Sequence, residues 1–207
     1  MGLPLAGSLS DLRAKDILVG IVIPVIVCFV IIWFPLNEGT LVQINPAFLG
    51  ILVFGVREVI MIVAVPLLVG LLWNKWAGGA TGFLLGSIYV LWYGLYGSMS
   101  PSWIHNIGLL GYLLSSMLIG YMAGALNHGS SQLTRLLFSG LIATLTGGLF
   151  LFFTEQQAAS PLVYGWYGFF VTMTPRLVFG AAMPLLAKAI LRHQAKKSGI
   201  QVNPLHS

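Results

Sequence analysis

Residues 46–73 read PAFLGILVFGVREVIMIVAVPLLVGLLW. About 20 consecutive apolar residues are enough for a helix to cross the roughly 30 Å hydrocarbon core of a bilayer. Only Arg57 and Glu58 interrupt the apolar character of this stretch. The stretch therefore predicts a transmembrane helix that carries two adjacent charged side chains inside the membrane.

The composition of the whole chain is also typical of a membrane protein. Of its 207 residues, 57% are hydrophobic and 7% are charged, whereas soluble domains average about 25% charged residues. The net charge of +5 comes from basic residues at the ends of apolar runs and not from a basic stripe, so nucleic-acid binding is not expected. The single cysteine, Cys28, excludes an intramolecular disulfide.

Five further apolar stretches accompany residues 46–73, and together they predict an all-α integral membrane bundle of six transmembrane helices. We expect residues 1–16 to form a cytoplasmic N-terminal segment, 17–192 the six-helix transmembrane domain, and 193–207 a cytoplasmic tail. The predicted spans are 17–34, one within 46–73, 77–96, 104–126, 133–153, and one within 162–191.

The basic residues predict the orientation of these spans, because short cytoplasmic loops are enriched in lysine and arginine. They occur in the N-terminal segment, the second and fourth loops and the C-terminal tail: Arg13, Lys15, Lys75, Arg135, Lys188, Arg192, Lys196 and Lys197. The first, third and fifth loops contain Glu38, His105 and Glu155 and no lysine or arginine. The pattern predicts a multi-pass protein of the plasma membrane with both termini in the cytoplasm.

Three charged residues lie in the interior of predicted spans, away from their ends: Arg57 and Glu58 in the second, and Arg176 in the sixth. Each costs about 2.5–3.5 kcal/mol on insertion scales and is tolerated beside a partner or in a water-filled cavity. One arrangement pairs Glu58 with Arg176 and leaves Arg57 for an anionic ligand. The alternative is an ion pair between the second and sixth spans that is purely structural.

Aromatic and polar side chains are concentrated near the predicted outer surface. They surround the third loop and precede the sixth span, and they include Trp92, Tyr93, Tyr96, Trp103, His105, Asn106, Tyr164, Trp166 and Tyr167. One interpretation is a belt of aromatic residues at the membrane interface. The other is a pocket that stacks an aromatic or amphipathic solute, which the close grouping of Tyr93, His105 and Asn106 favours.

Gly78, Gly82 and Gly86 recur at a spacing of four in the third span. Small residues at this spacing allow helix backbones to approach closely. The glycines are interpreted either as a packing face within the bundle or as a contact surface for another membrane subunit.

Motifs of soluble enzymes are missing from the sequence, which contains no P-loop, CxxC, HExxH or GxSxG pattern. The four histidines do not have the spacing of metal ligands. We therefore expect no catalytic activity, no cofactor and no metal site.

The chain resembles the substrate-binding S-component of energy-coupling factor transporters. The resemblance rests on the number of spans, the glycine-rich stretch Ala77-Gly-Gly-Ala-Thr-Gly-Phe-Leu-Leu-Gly86, and the segment Pro175-Arg-Leu-Val-Phe-Gly-Ala-Ala-Met-Pro-Leu-Leu-Ala-Lys-Ala-Ile190. It implies uptake of a vitamin-like solute or a metal, together with a transmembrane coupling subunit and cytoplasmic ATPases. The first span, with Gly20-Ile-Val-Ile-Pro24, departs from the alanine pattern common in that family.

Two other functions are compatible with the sequence. The chain could be a structural or sensory membrane subunit that transports nothing. It could also be a small secondary transporter or an intramembrane enzyme in which Glu58 serves as a proton site. For the solute-binding function, the candidate residues are Arg57, Glu58, Arg176, Trp92, Tyr93, Tyr96, His105, Asn106, Trp166 and Tyr167.

Overall fold

The computed structural model describes residues 57–96, 107–157 and 165–197, together with the single positions Val22 and Ile26. Within residues 57–197, the described part is helical and contains no strand, which confirms the predicted all-α class there. Its elements are α1 (Arg57–Val59), the π-helix π1 (Ile60–Ala64), α2 (Val65–Leu72), α3 (Lys75–Tyr96), α4 (Ile107–Asn127), α5 (Leu133–Gln157) and α6 (Gly165–Lys197).

The segment formed by α1, π1 and α2 lies at the centre of the described bundle. Its backbone stays right-handed helical through both junctions, at Val59 and at Val65. α2 packs against α3, α4, α5 and α6, and Ile62, Val63 and Leu67 are completely buried. A helix that is apolar on every side is stable when neighbouring helices cover it on every side.

Glycines bring α2, α3 and α4 into direct backbone contact. A Cβ atom on Gly78 would lie 2.6 Å from the Cα of Gly70 on α2, and one on Gly82 would lie 2.8 Å from the Cα of Met117 on α4. A Cβ atom on Gly86 would lie 2.7 Å from the Cα of Leu113 on α4. The face of α3 assigned to a partner subunit is therefore covered by helices of the same chain, as the packing interpretation expects.

Most side chains on the buried face of helix α5 are small or polar, while several of its large apolar side chains are exposed. Its buried face is made of Ser139, Gly140, Ala143, Thr144, Gly147, Gly148 and Leu151, with Leu136 and Glu155 near its two ends. Phe138, Ile142, Leu145 and Phe153 are exposed, Phe138 by 67%. This distribution suits a surface that faces lipid, because close helix contact in a membrane favours small residues.

Three helices of the described part are long and apolar enough to cross a membrane: Leu109–Asn127, Leu133–Gln157 and Gly168–Ala195. This finding supports a membrane protein. The predicted fifth span, 133–153, begins where α5 begins, but α5 continues beyond residue 153 to Gln157. The predicted sixth span corresponds to α6, which runs through Pro175 and Pro184. Of the predicted first span, residues 17–34, the structure describes only the single positions Val22 and Ile26.

One end of the bundle, here called the basic end, contains the α2–α3 turn, the α4–α5 turn and the C-terminal part of α6. Lys75, Arg135, Lys188 and Arg192 lie there. Asn127 donates to the carbonyl of Leu71 at 3.0 Å, which ties the ends of α4 and α2 together. Lys188 donates to the carbonyl of Ser131 at 2.8 Å and ties α6 to the α4–α5 turn.

Candidate functional site

An ion pair joins Glu58 on α1 to Arg176 on α6. The Nη2 group of Arg176 donates to Oε1 of Glu58, and its Nη1 group donates to the backbone carbonyl of Thr172 at 2.7 Å. The side chain of Arg176 is 3% exposed and that of Glu58 is 18% exposed. The pairing predicted from the cost of placing charges in a membrane is therefore present.

A second carboxyl group, Glu155, lies close to this ion pair. It accepts a hydrogen bond from the hydroxyl of Tyr112 at 2.7 Å and forms another with the side chain of Thr172. It also interacts electrostatically with Glu58 and Arg176. These five residues, contributed by α1, α4, α5 and α6, are here called the polar cluster.

Neither Glu155 nor Tyr112 was among the residues predicted to form a site. Glu155 was expected in the loop after the fifth span, but α5 continues for another turn and carries it into the bundle, where it is buried. Tyr112 lies within the predicted span 104–126, and nothing in the sequence distinguishes it from the other residues of that span. The signal in the sequence for Glu155 is an acidic residue at the end of an apolar run, which also marks a non-cytoplasmic loop in the orientation pattern.

The polar cluster lies far from the basic end. Arg135 and Glu155 are both on α5, and at ~1.5 Å per residue they lie roughly 30 Å apart along its axis. Arg176 lies roughly 18 Å from Lys188 along α6 by the same rise. The first separation is comparable to the thickness of the hydrocarbon core, and the second is a little more than half of it.

The side chain of Arg176 crosses α5 at a glycine. A Cβ atom on Gly148 would lie 3.1 Å from Cδ of Arg176 and 3.0 Å from Sδ of Met173. The Nε atom of Arg176 is buried and has no hydrogen-bond acceptor among the described atoms. The guanidinium thus donates through both terminal nitrogens, while the N–H group of Nε has no acceptor among the described atoms.

The polar cluster adjoins a break in regular α-helical geometry. Glu58 lies on the short helix α1, and π1 begins two residues later. Short π-helical segments inside α-helices occur frequently at functional sites. The irregular turn therefore coincides with the charged part of the central segment.

Metal binding finds no support in the described ranges, where no three histidine, cysteine or acidic residues are grouped as metal ligands. No protein-family model, no curated protein and no solved structure matches this chain. The function must therefore be inferred from the polar cluster and from its place in the bundle.

The predicted aromatic residues are only partly described. Trp166 is 79% exposed on the surface of the described bundle, and its ring lies 6.3 Å from that of Phe169. This exposed position is typical of an aromatic belt. The other predicted side chains lie outside the described part: Arg57, Trp92, Tyr93, Tyr96, His105, Asn106 and Tyr167.

An aromatic side chain that was not predicted adjoins the polar cluster. The ring of Tyr89 on α3 lies 5.3 Å from that of Tyr112, tilted by 39°. Tyr89 is 4% exposed. Tyr89 lies on the same helix as three of the predicted aromatic residues. These are Trp92, Tyr93 and Tyr96, which follow it toward the C-terminal end of α3.

Proposed function

We propose that this chain is a six-span protein of the plasma membrane, with both termini in the cytoplasm, that binds a small solute for uptake. Three apolar helices and the inside-out pattern of α5 support its place in a membrane. The alternation of basic and non-basic loops supports the orientation. On this proposal the basic end is cytoplasmic, and the polar cluster lies in the outer half of the membrane.

The observation that carries the solute-binding proposal is the burial of ionisable groups from four helices at one depth. Ionisable residues inside a membrane are costly and commonly mark the path of a substrate or an ion. A single structural ion pair would need only Glu58 and Arg176. The addition of Glu155 and Tyr112 makes the cluster larger than the bundle needs to neutralise one arginine.

The proposed solute is vitamin-like and anionic or aromatic. Arginine binds carboxylate and phosphate groups through paired hydrogen bonds. Because Arg176 is engaged by Glu58, Arg57 is the first candidate for an anionic group of the solute. Arg176 would become available if the solute displaced Glu58. The aromatic side chains near the outer surface would hold a ring system.

Energy for uptake would come from a separate module. The sequence contains no nucleotide-binding P-loop, and the resemblance to an S-component implies a transmembrane coupling subunit and cytoplasmic ATPases as partners. Since Gly78, Gly82 and Gly86 are covered within the chain, such a subunit would have to dock elsewhere on the bundle.

The first experiment is to identify any small molecule that co-purifies with the protein, by mass spectrometry of the denatured sample. Its affinity is then measured for Arg57→Ala and Arg176→Ala, with Arg135→Ala at the basic end as the matched control. We expect affinity to be lost in at least one of the first two variants and kept in the control. Unchanged affinity in both would refute the role of the polar cluster.

A proton-coupled secondary transporter is the second candidate. It is favoured by one observation, the presence of two carboxyl groups, Glu58 and Glu155, beside a single described guanidinium. Solute flux driven by a pH gradient across liposomes that contain only the purified chain would establish this function. If solute uptake requires co-purified ATPases, the first candidate, a solute-binding subunit of an uptake system, would be established. A stable oligomer that binds no solute would favour a structural or sensory subunit.

A further inference from the structure

The polar cluster contains more acid than base among its described side chains. Glu58 and Glu155 contribute two carboxyl groups, and Arg176 contributes one guanidinium. The contacts of that guanidinium go to Glu58 and to the carbonyl of Thr172. Glu155 is approached by hydroxyl groups, those of Tyr112 and Thr172, and it forms no ion pair with Arg176.

If both acids were ionised, the described cluster would carry a net negative charge while buried. An uncompensated buried charge is strongly unfavourable, and a protein commonly avoids it by binding a proton. With Glu58 ionised and Glu155 neutral, the charges of Glu58 and Arg176 cancel and the cluster has no net charge.

The hydrogen bonds point to Glu155 as the neutral member. An ionised carboxylate gains a stronger hydrogen bond from a guanidinium than from a hydroxyl group. The Nε–H group of Arg176 is buried and unused, yet Glu155 hydrogen-bonds to Tyr112 and Thr172. A protonated carboxyl group suits these neighbours, since one oxygen can accept from Tyr112 while the other donates to the hydroxyl of Thr172.

We propose that Glu155 is a proton-binding site, and that it carries its proton in the solute-free protein at neutral pH. Glu58 keeps its contact with Arg176. The groups facing Glu155 from the helices packed around it are Tyr112 on α4, Thr172 and Arg176 on α6, and Glu58 on α1. Any charged group that separates Arg176 from Glu58 would then change the proton occupancy of Glu155.

Infrared spectroscopy of the purified protein at neutral pH tests this proposal without a solute. A protonated carboxylic acid has a C=O stretching band well separated from the bands of carboxylate. We expect such a band in the wild-type protein and its loss in Glu155→Gln, which keeps a carbonyl oxygen as acceptor for Tyr112.

A second variant assigns the band to Glu155, since removing one acid of a coupled pair can also change the other. Tyr112→Phe removes the hydrogen bond to Glu155 and should shift the band, because the freed C=O bond becomes stronger. Tyr121→Phe, on the same helix near the basic end, should leave it unmoved. If Glu155→Gln does not fold, the Tyr112→Phe and Tyr121→Phe pair still decides the assignment.

Each outcome of the infrared experiment either supports or overturns the proposal. A wild-type band that disappears in Glu155→Gln and shifts in Tyr112→Phe supports the proposal. Absence of the band at neutral pH means that Glu155 is ionised, and it overturns the proposal whether or not a cation compensates that charge. The proposal is also overturned if the band remains in Glu155→Gln or does not shift in Tyr112→Phe. Because no solute is involved, failure here leaves the solute-binding proposal untouched, and the reverse is also true.

Discussion

Replacing Arg176 by methionine, alone and together with Glu58→Gln, distinguishes two contributions to the free energy of unfolding. One is the destabilisation by an unpaired buried charge, and the other is the net stabilisation by the ion pair. Methionine keeps an unbranched apolar stem next to Gly148 and Met173 but removes the charge. Glutamine keeps the shape of Glu58 and removes its charge. Three proteins are compared with the wild type: each single variant and the double variant.

We expect Arg176→Met to lower the free energy of unfolding by about 3 kcal/mol, the lower end of the range of about 3–5 kcal/mol for breaking a buried ion pair. The lower end applies because the side chain of Glu58 is 18% exposed and can reach polar surroundings. Adding Glu58→Gln should recover most of this loss. A neutral pair of similar volume is often as stable as the ion pair that it replaces.

Unfolding by denaturant in detergent micelles, followed by circular dichroism, gives these free energies. Arg135→Met at the basic end is the control. Its side chain is exposed and donates one hydrogen bond to the carbonyl of Leu126 at 3.2 Å, so its loss should cost less than about 1.5 kcal/mol. If the double variant is as unstable as Arg176→Met, the instability comes from lost packing and the reasoning from unpaired charge is wrong.

Three smaller predictions follow from other contacts. Gly82→Leu should prevent folding, because its side chain would meet the backbone of α4, whereas Ala80→Leu on the exposed face of α3 should elute from a sizing column as the wild type does. Asn127→Asp should cost about 1–3 kcal/mol in denaturant unfolding, because an acceptor replaces the donor to a buried carbonyl of α2. Gly148→Ala should displace Arg176 and lower solute affinity, measured by equilibrium binding, while leaving helix content unchanged.

Much of the architecture could be predicted from the sequence because membrane insertion has simple physical requirements. Length and apolarity identified the helices that the structure describes. The cost of isolated charges in lipid predicted that Glu58 and Arg176 would meet, although 118 residues separate them. The glycine spacing of α3 predicted close packing, which is present at Gly78, Gly82 and Gly86.

The composition of the polar cluster could not be predicted in the same way. Hydropathy does not fix the last turn of a helix, so it does not predict the extension of α5 that carries Glu155 into the bundle. Lipid is about as apolar as a protein core, so helical periodicity gives a weak indication of which face is buried. Tyr112 therefore looked like any other aromatic residue of an apolar span, and its contact with Glu155 depends on how α4 and α5 are rotated.

The two ends of the bundle are held together by different kinds of contact, and this difference bears on how a solute could bind. Near the basic end, Gly70, Gly78 and Gly120 bring three helix backbones together, and close-packed backbones leave no side chain that could move aside. At the polar cluster the helices are joined by side chains that can exchange hydrogen-bond partners, as Arg176 and Glu155 both can. Among the described helices, the proposed solute would therefore be expected to enter at the polar cluster, where its own polar groups could replace the contacts that it breaks.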